Sequence, residues 1–177
     1  MGAPYIFEST RLGFRAWRDS DLLPFSALNA DPEVMEYFPA RLTPGETAVK
    51  MASYQQEIDA HGFGLWSTEV KATGEWIGFI GFHAATFESP FTPCIEIGWR
   101  LHRPFWGRGY ATEGARRCLA FGAEIGLSTI YSFTAAINLR SERVMQKIGM
   151  EKMGEFLHPA IENCHPLQKH VFYRTFL

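Results

Sequence analysis

The stretch that decides the fold is CIEIGWRLHRPFWGRGYATEGARRCLAFGAE, residues 94–124. Residues 94–101 are rich in β-branched and aromatic side chains, as strands are, and Gly98 among them indicates a bulge or a close backbone approach. Gly107 and Gly109 then precede a helix with a small, apolar face. A helix start offers unpaired N–H groups and partial positive charge, and glycines let an anion approach the main chain. The pattern predicts a phosphate-binding unit of strand, turn and helix.

The segments around this unit alternate between strand and helix patterns. Residues 11–17 alternate polar and apolar side chains, as a half-buried strand does, and Asp19 to Asp21 offer caps for a short helix over residues 22–28. A capping box at Thr43 to Glu46 starts a longer helix that stops at Gly62. The inner face of that helix is predicted to carry Ala48, Met51, Ala52, Gln55 and Ile58.

The rest of the chain completes one mixed α/β domain. Strands are predicted over residues 65–70, 76–82, 128–136, 150–156 and 170–176, and a helix runs from Asn138 to Lys147. The predicted order is β-α-α-β-β-β-α-β-α-β-β. No linker and no internal repeat interrupts it, so we expect a single domain over residues 1–177.

Composition and charge exclude several classes of protein. Lys plus Arg number 17 against 19 Asp plus Glu, a formal charge of −2, which does not suit a nucleic-acid binder. No apolar run approaches the roughly 20 residues that span a bilayer, and the start lacks the blocks of an export signal. We therefore expect no membrane contact and a cytoplasmic location.

Cysteines and histidines give no sign of a disulfide framework or a metal site. The three cysteines are odd in number and form no C-x-x-C pair, which favours a reducing compartment: Cys94, Cys118 and Cys164. A second group matches no zinc spacing, and we expect no metal: His158, Cys164, His165 and His170.

The glycine turn matches neither of two common nucleotide-binding motifs. A dinucleotide-binding turn needs a third glycine where this chain has Thr112, and the next strand ends at Ala136 and Ile137 without a ribose-binding acid. The phosphate loop of NTPases ends in Gly-Lys-Ser/Thr, which occurs nowhere in the chain. Neither a dinucleotide nor ATP is supported.

The turn instead resembles the acetyl-coenzyme A site of the GNAT superfamily of N-acetyltransferases, whose motif is Q/R-x-x-G-x-G/A. Trp106 to Ala111 match its glycine and alanine, with Trp at the first position. Residues 95–113, the opening 10–15 and the ending 170–174 are similar to the Rim-type ribosomal-protein N-terminal acetyltransferases. So is NLRSERVMQKIGM, residues 138–150, which resembles N-x-x-S-x-x-V-x-x-K-x-G-F. The likeness covers nearly the whole chain and implies a mostly antiparallel central sheet flanked by helices, with acetyl-CoA as co-substrate.

The resemblance implies a coenzyme site made mainly of main-chain atoms. The backbone of Trp99, Arg100 and Leu101 would pair with the pantetheine arm. Asn138 would contact the pantetheine or simply cap its helix, and both roles stay open. Ser141 and Arg143 lie one turn further along. The pyrophosphate would be held by amides, with added charge from the arginine, at Gly107, Arg108, Gly109, Tyr110, Ala111 and Thr112.

The resemblance also implies direct attack of a neutral amine on the thioester in a ternary complex. Glu96 is the candidate base, because an acid on an apolar strand can have a raised pKa, although a solvent-facing Glu is the alternative. Many relatives place a Tyr acid seven residues after the Asn, where this chain has Met145. Ser141 or water is therefore the candidate that assists the thiolate.

The acceptor side is less defined. Tyr37, Phe38, His83 and the loop 158–168 could border an acceptor cleft by position, and each is equally compatible with a core or surface role. We expect an acetyl-CoA-dependent N-acetyltransferase that acts on a protein N-terminus or a small amine, as a monomer or homodimer. The alternative is a non-catalytic regulatory module that binds an acyl-CoA.

Overall fold

One sheet of eight strands organises residues 5–177, the part of the chain that the computed structural model describes. The strands are β1 Phe7–Glu8, β2 Leu12–Arg15, β3 Leu65–Val70, β4 Glu75–Ala85, β5 Cys94–Leu101, β6 Thr129–Ala135, β7 Glu151–Leu157 and β8 Lys169–Phe176. The helices are α1 Leu22–Ala30, α2 Pro44–His61, α3 Tyr110–Glu124 and α4 Leu139–Lys147.

The sheet is mixed and mostly antiparallel. Its strand order is β1-β2-β3-β4-β5-β6-β8-β7, and the pair β5–β6 is parallel while the other neighbours are antiparallel. This confirms the predicted fold class and order of elements. The sequence patterns missed the two-residue strand β1, which pairs Phe7 with Phe14.

The two faces of the sheet are covered by different helices. α3 lies on the face of Ile80 and Phe82, and its Gly114 packs so closely that an added Cβ would lie 2.3 Å from an Ile80 side-chain carbon. α1 and α2 lie on the opposite face, where Phe25 and Tyr54 pack around Phe79 with ring centroids 5.8 and 5.5 Å from it. Burial of these aromatic rings supplies much of the apolar stabilisation of the domain.

The start of α1 differs from the prediction. Asp21 makes no side-chain cap for the helix; a short 3₁₀ turn, Asp19–Asp21, precedes it. The buried carboxylate of Asp21 instead accepts a hydrogen bond from Arg15 Nη1 at 2.7 Å, and Arg15 Nε donates to Glu69 at 2.6 Å. The charge of a buried arginine needs acidic partners, and this requirement outweighs the capping preference of Asp.

The start and stop of α2 are confirmed, and part of its inner face is corrected. Thr43 Oγ1 accepts from the Glu46 amide at 3.2 Å, and Gly62 ends the helix with φ 72°. The residues of the helix that are buried, however, are Thr47, Tyr54 and Ile58, whereas Ala52 is exposed. The small residues of this helix misled the face assignment because small side chains carry little directional signal.

Two further observations bear on the class of protein. Within residues 5–177 no helix combines the length and apolarity needed to cross a bilayer. Over the same residues, no group of three or more His, Cys, Asp or Glu side chains is arranged to hold a metal ion. The prediction about an export signal falls partly on residues 1–4, which lie outside the described residues.

Candidate functional site

The predicted anion-binding turn forms at the start of α3. Gly107 and Gly109 both adopt the left-handed backbone conformation, with φ 73° and 79°, which L side chains rarely adopt. Gly109 is the N-cap of α3, and no side chain caps the helix there. The amides of the first helical turn have no intrahelical acceptor, so they remain available to an anion.

A basic cavity lies beside this turn. It has a volume of about 740 Å³ and opens to solvent, and its basic lining residues include Arg11, Arg116 and Lys147. Arg11 is anchored there, because its Nε donates to Glu113 at 2.6 Å and its guanidinium lies 4.4 Å from the Tyr110 ring centroid. The sequence patterns place Arg11 in a motif and do not indicate its position beside this cavity.

The start of α4 lies against the same turn. The Arg140 guanidinium is 4.9 Å from the Trp106 ring centroid. Asn138 caps α4, since its Oδ1 accepts from the Ser141 amide at 3.3 Å and its Nδ2 donates to Thr134 Oγ1 at 2.9 Å. The capping role of Asn138 is confirmed, while its contact with a coenzyme stays a prediction.

Three other positions on α4 that bear on the site have different environments. Arg143 is exposed on the helix surface. Met145, at the position where many relatives are expected to carry a Tyr acid, is 1% exposed and belongs to the core. The Ser141 hydroxyl accepts a hydrogen bond from Asn138 Nδ2 at 3.1 Å, which leaves its own proton free to donate.

β5 has an edge that is almost unpaired on the side of β6. The two strands share a single bridge, at Glu96 and Tyr131, although Ser132 Oγ also donates to the Ile97 carbonyl at 2.9 Å. From Ile97 to Leu101 the strands therefore diverge. Part of this edge is already used, because the Trp106 indole donates to the Leu101 carbonyl at 2.7 Å.

Glu96 lies half-buried on the face of β5 that α2 covers. Its register partner on β4 is His83, so the two side chains project on the same side of the sheet. Burial raises the pKa of Glu96 to about 7, while the nearby His83 lowers it and Glu57 raises it further. A carboxyl group with this pKa changes its protonation state near neutral pH.

Glu57 of α2 fixes the histidine beside Glu96. Its carboxylate contacts His83 Nδ1 at 2.7 Å and accepts from the Ala84 amide at 2.9 Å. Burial alone would raise the pKa of Glu57, but these hydrogen bonds lower it; the bond to Glu57 in turn raises the pKa of His83. Sequence reasoning missed Glu57, although its position three residues after Tyr54 on α2 is a signal that it shares the inward stripe.

The residues that the sequence suggested for an acceptor cleft take different positions. His83 lies beside Glu96, and the Phe38 ring stacks on the Arg100 guanidinium at 4.0 Å. In the loop 158–168, His158 packs on Phe87, with ring centroids 4.6 Å apart. Cys164 and His165 of that loop are exposed.

Comparison with known proteins agrees with this geometry. The chain belongs to the GNAT acetyltransferase family, whose domain model, described as acetyltransferase (GNAT) domain, matches residues 11–151. The chain is 33% identical over 152 residues to YkkB, an uncharacterised protein of Bacillus subtilis, and this match covers 85% of the chain and 87% of the relative. This family uses acetyl-CoA as the acetyl donor.

Solved structures share the fold. A ribosomal-protein alanine acetyltransferase from Vibrio fischeri superposes with a TM-score of 0.76 at 16% identity, over 96% of this chain and 95% of that one. The acetyltransferase yncA of Salmonella typhimurium, solved with acetyl-CoA, gives a TM-score of 0.72 at 14% identity, over 95% of each chain. The predicted likeness to GNAT acetyltransferases, with Rim-type enzymes among the structural neighbours, is confirmed.

Proposed function

We propose that this protein is an N-acetyltransferase that transfers an acetyl group from acetyl-CoA directly to a primary amine, in a ternary complex and without a covalent enzyme intermediate. The observation that carries the proposal is the position of Glu96. Glu96, whose pKa is about 7, is the last residue of β5 that pairs with β6. Beyond it the two strands diverge, and the free edge of β5 leads towards the start of α3, which has no side-chain cap.

The residues around the α3 turn fit acetyl-CoA. Amides without side-chain caps suit the pyrophosphate, and the exposed Arg108 adds positive charge. The diverging edge at Trp99 and Arg100 offers main-chain groups to the pantetheine arm, in the manner of an added strand. When bound, the coenzyme supplies an acetyl thioester, which is an activated acyl group.

Glu96 would act as the general base. In its ionised form it can accept the proton of the attacking amine directly or through one water. His83 is a positioning residue, because its charged form, paired with Glu57, favours ionisation of Glu96. Ser141 would donate a hydrogen bond, without giving up its proton, to the departing thiolate, since its oxygen already accepts from Asn138.

We also propose where the enzyme acts and in what form. All three cysteines are free, which supports a reducing compartment, and we place the protein in the cytoplasm. We also propose that residues 1–177 work as one domain, as a monomer or a homodimer.

An acetylation screen with a binding measurement tests the function. The purified protein is incubated with acetyl-CoA and a panel of amines and peptides, products are identified by mass spectrometry, and acetyl-CoA affinity is measured by calorimetry. We expect acetylated products, and we expect Glu96→Gln to lower kcat by about 100- to 10,000-fold while it retains acetyl-CoA binding.

Glu151→Gln is the matched control, because this carboxylate is exposed on β7, away from the site. It should leave the rate unchanged. If the coenzyme binds but no amine is acetylated, or if Glu96→Gln turns over like the wild type, the protein is better described as a non-catalytic acyl-CoA-binding module.

A further inference from the structure

Arg100, Gly98 and Glu96 lie in a row on one face of β5, and we call the open space above Gly98, between the two charged residues, the trough. Both belong to β5 and, two pleats apart, project on the same face, which places their Cα atoms about 13 Å apart at the usual strand rise. Gly98 lies between them in an unshifted register, and a Cβ built there would meet nothing within 4 Å, so among the described residues the predicted bulge or close backbone approach is wrong. The floor of the trough is therefore open backbone.

The positive charge of Arg100 has no acidic partner among residues 5–177. The hydrogen bond that its guanidinium makes runs from Nη1 to the neutral amide oxygen of Asn29, at 2.6 Å. Its Nε is buried and has no hydrogen-bond partner in the described part of the chain. Burial lowers the pKa of Arg100, which reflects the cost of keeping this charge out of water.

The half-buried Arg100 contrasts with Arg15, which is fully buried. Arg15 has Asp21 and Glu69 as partners at 2.7 and 2.6 Å. Buried charges in proteins are normally paired in this way. At Arg100, Nη1 donates to Asn29 and the Phe38 ring covers one face of the guanidinium. The edge formed by Nε and Nη2 therefore has no hydrogen-bond acceptor among residues 5–177.

A second cation reinforces the positive end of the trough. Lys50 of α2 lies with its Nζ 5.6 Å from the centroid of the Tyr54 ring. Burial, and then repulsion from Arg100, lower the pKa of Lys50. Tyr54 packs on Phe79, the register partner of Arg100 on β4, with ring centroids 5.5 Å apart, so it lies on the wall at the Arg100 end.

We propose that the acceptor is a small amine that also carries a carboxylate, with its amine directed to Glu96 and its carboxylate bound on the Nε–Nη2 edge of Arg100. The two parallel N–H groups of that edge match the two oxygens of a carboxylate. Binding would give the buried Nε its missing partner. The inference rests on the proposed acetyltransferase function and adds the class of substrate.

A matched substrate series tests the inference. Linear amino carboxylates of increasing length are compared with the alkylamine and the diamine of the same length, and kcat/KM is measured for each. We expect the best amino carboxylate to exceed its alkylamine by about 10- to 100-fold, the size expected of a charge-assisted pair. In Arg100→Gln this ratio should fall to about one.

Two variants keep the result interpretable. Arg41→Gln removes an exposed arginine and should keep the wild-type ratio. Arg100→Lys retains the charge without the two-pronged edge and should give an intermediate ratio. Acetyl-CoA affinity and thermal unfolding of the Arg100 variants show whether each is folded.

The outcomes separate the two proposals. If diamines, alkylamines or a peptide amide are preferred, or if Arg100→Gln keeps the wild-type ratio, the substrate class is wrong while the acetyltransferase function stands. If acetyl-CoA binds and none of the series is acetylated, the substrate class is likewise overturned. If acetyl-CoA does not bind at all, the proposed function itself fails.

Discussion

The turn before α3 and the Glu96 face of β5 differ in the kind of atoms they present. The turn presents main-chain amides from one continuous run, residues 107–112, with two glycines in left-handed conformation. The Glu96 face presents side chains from separate segments, including α2, β4 and β5. A site of main-chain atoms can be specified locally, whereas a site of side chains requires the folded sheet to bring its parts together.

Substituting a glycine of the turn should give the largest effect on coenzyme binding. In Gly109→Ala the backbone must keep φ near 79° with a Cβ present, or move the amides of the turn. We expect acetyl-CoA affinity to fall by about 10- to 100-fold in calorimetry. Gly126→Ala is the matched control, because its φ is 86° in a loop at the far end of α3, and it should cost stability alone. Equal affinity losses would contradict a main-chain site.

Removing the buried charge at Glu96 should stabilise the fold at alkaline pH. The pKa of Glu96 is about 7 in the folded protein against 4.5 ordinarily, so between these values the folded state holds a proton that the unfolded state has lost. The free energy of unfolding therefore falls as pH rises from about 4.5 to 7. We expect Glu96→Gln to be more stable than the wild type by about 1–3 kcal/mol at pH 8, and to lose this advantage near pH 4, in urea titrations. An advantage that did not depend on pH would contradict the raised pKa.

The pH dependence of turnover should report the neighbours of Glu96. Because the base must be ionised, kcat/KM should rise with pH through about 7. Charged His83 lowers the pKa of Glu96, so His83→Gln should move this rise to higher pH, by up to about one unit. No shift would mean that His83 does not influence the base, and a shift to lower pH would contradict stabilisation of the ionised base by charged His83.

Removing the charge of Arg108 should have the smallest effect. Its side chain is exposed, so its attraction to a phosphate is screened by water and salt. We expect Arg108→Gln to weaken acetyl-CoA binding by only about two- to threefold at moderate salt, with a smaller difference at high salt. A loss as large as that of Gly109→Ala would show that side-chain charge, rather than the amides, dominates the turn.

The parts that could be predicted from the sequence share one physical feature, which is locality. The capping box at Thr43, the cap at Asn138 and the turn at Gly107 and Gly109 depend on residues within a few positions of one another. The predictions were wrong or incomplete where a side chain's contacts depend on a residue of another secondary-structure element. Asp21 does not cap α1, because its carboxylate accepts from the buried Arg15. Tyr54 faces the sheet, where it packs on Phe79.

The amino-acid sequence by itself determined the order of strands and helices, the glycine turn before α3 and Glu96 as the one carboxylate of β5, since these follow from backbone conformation and periodicity. Tertiary structure alone decided that His83 and Glu57 adjoin Glu96, and that Arg100, which has no acidic partner among residues 5–177, donates to Asn29. These contacts join residues 13 to 71 positions apart. No local pattern encodes them, because pKa values and unpaired charges depend on what the whole fold excludes from water.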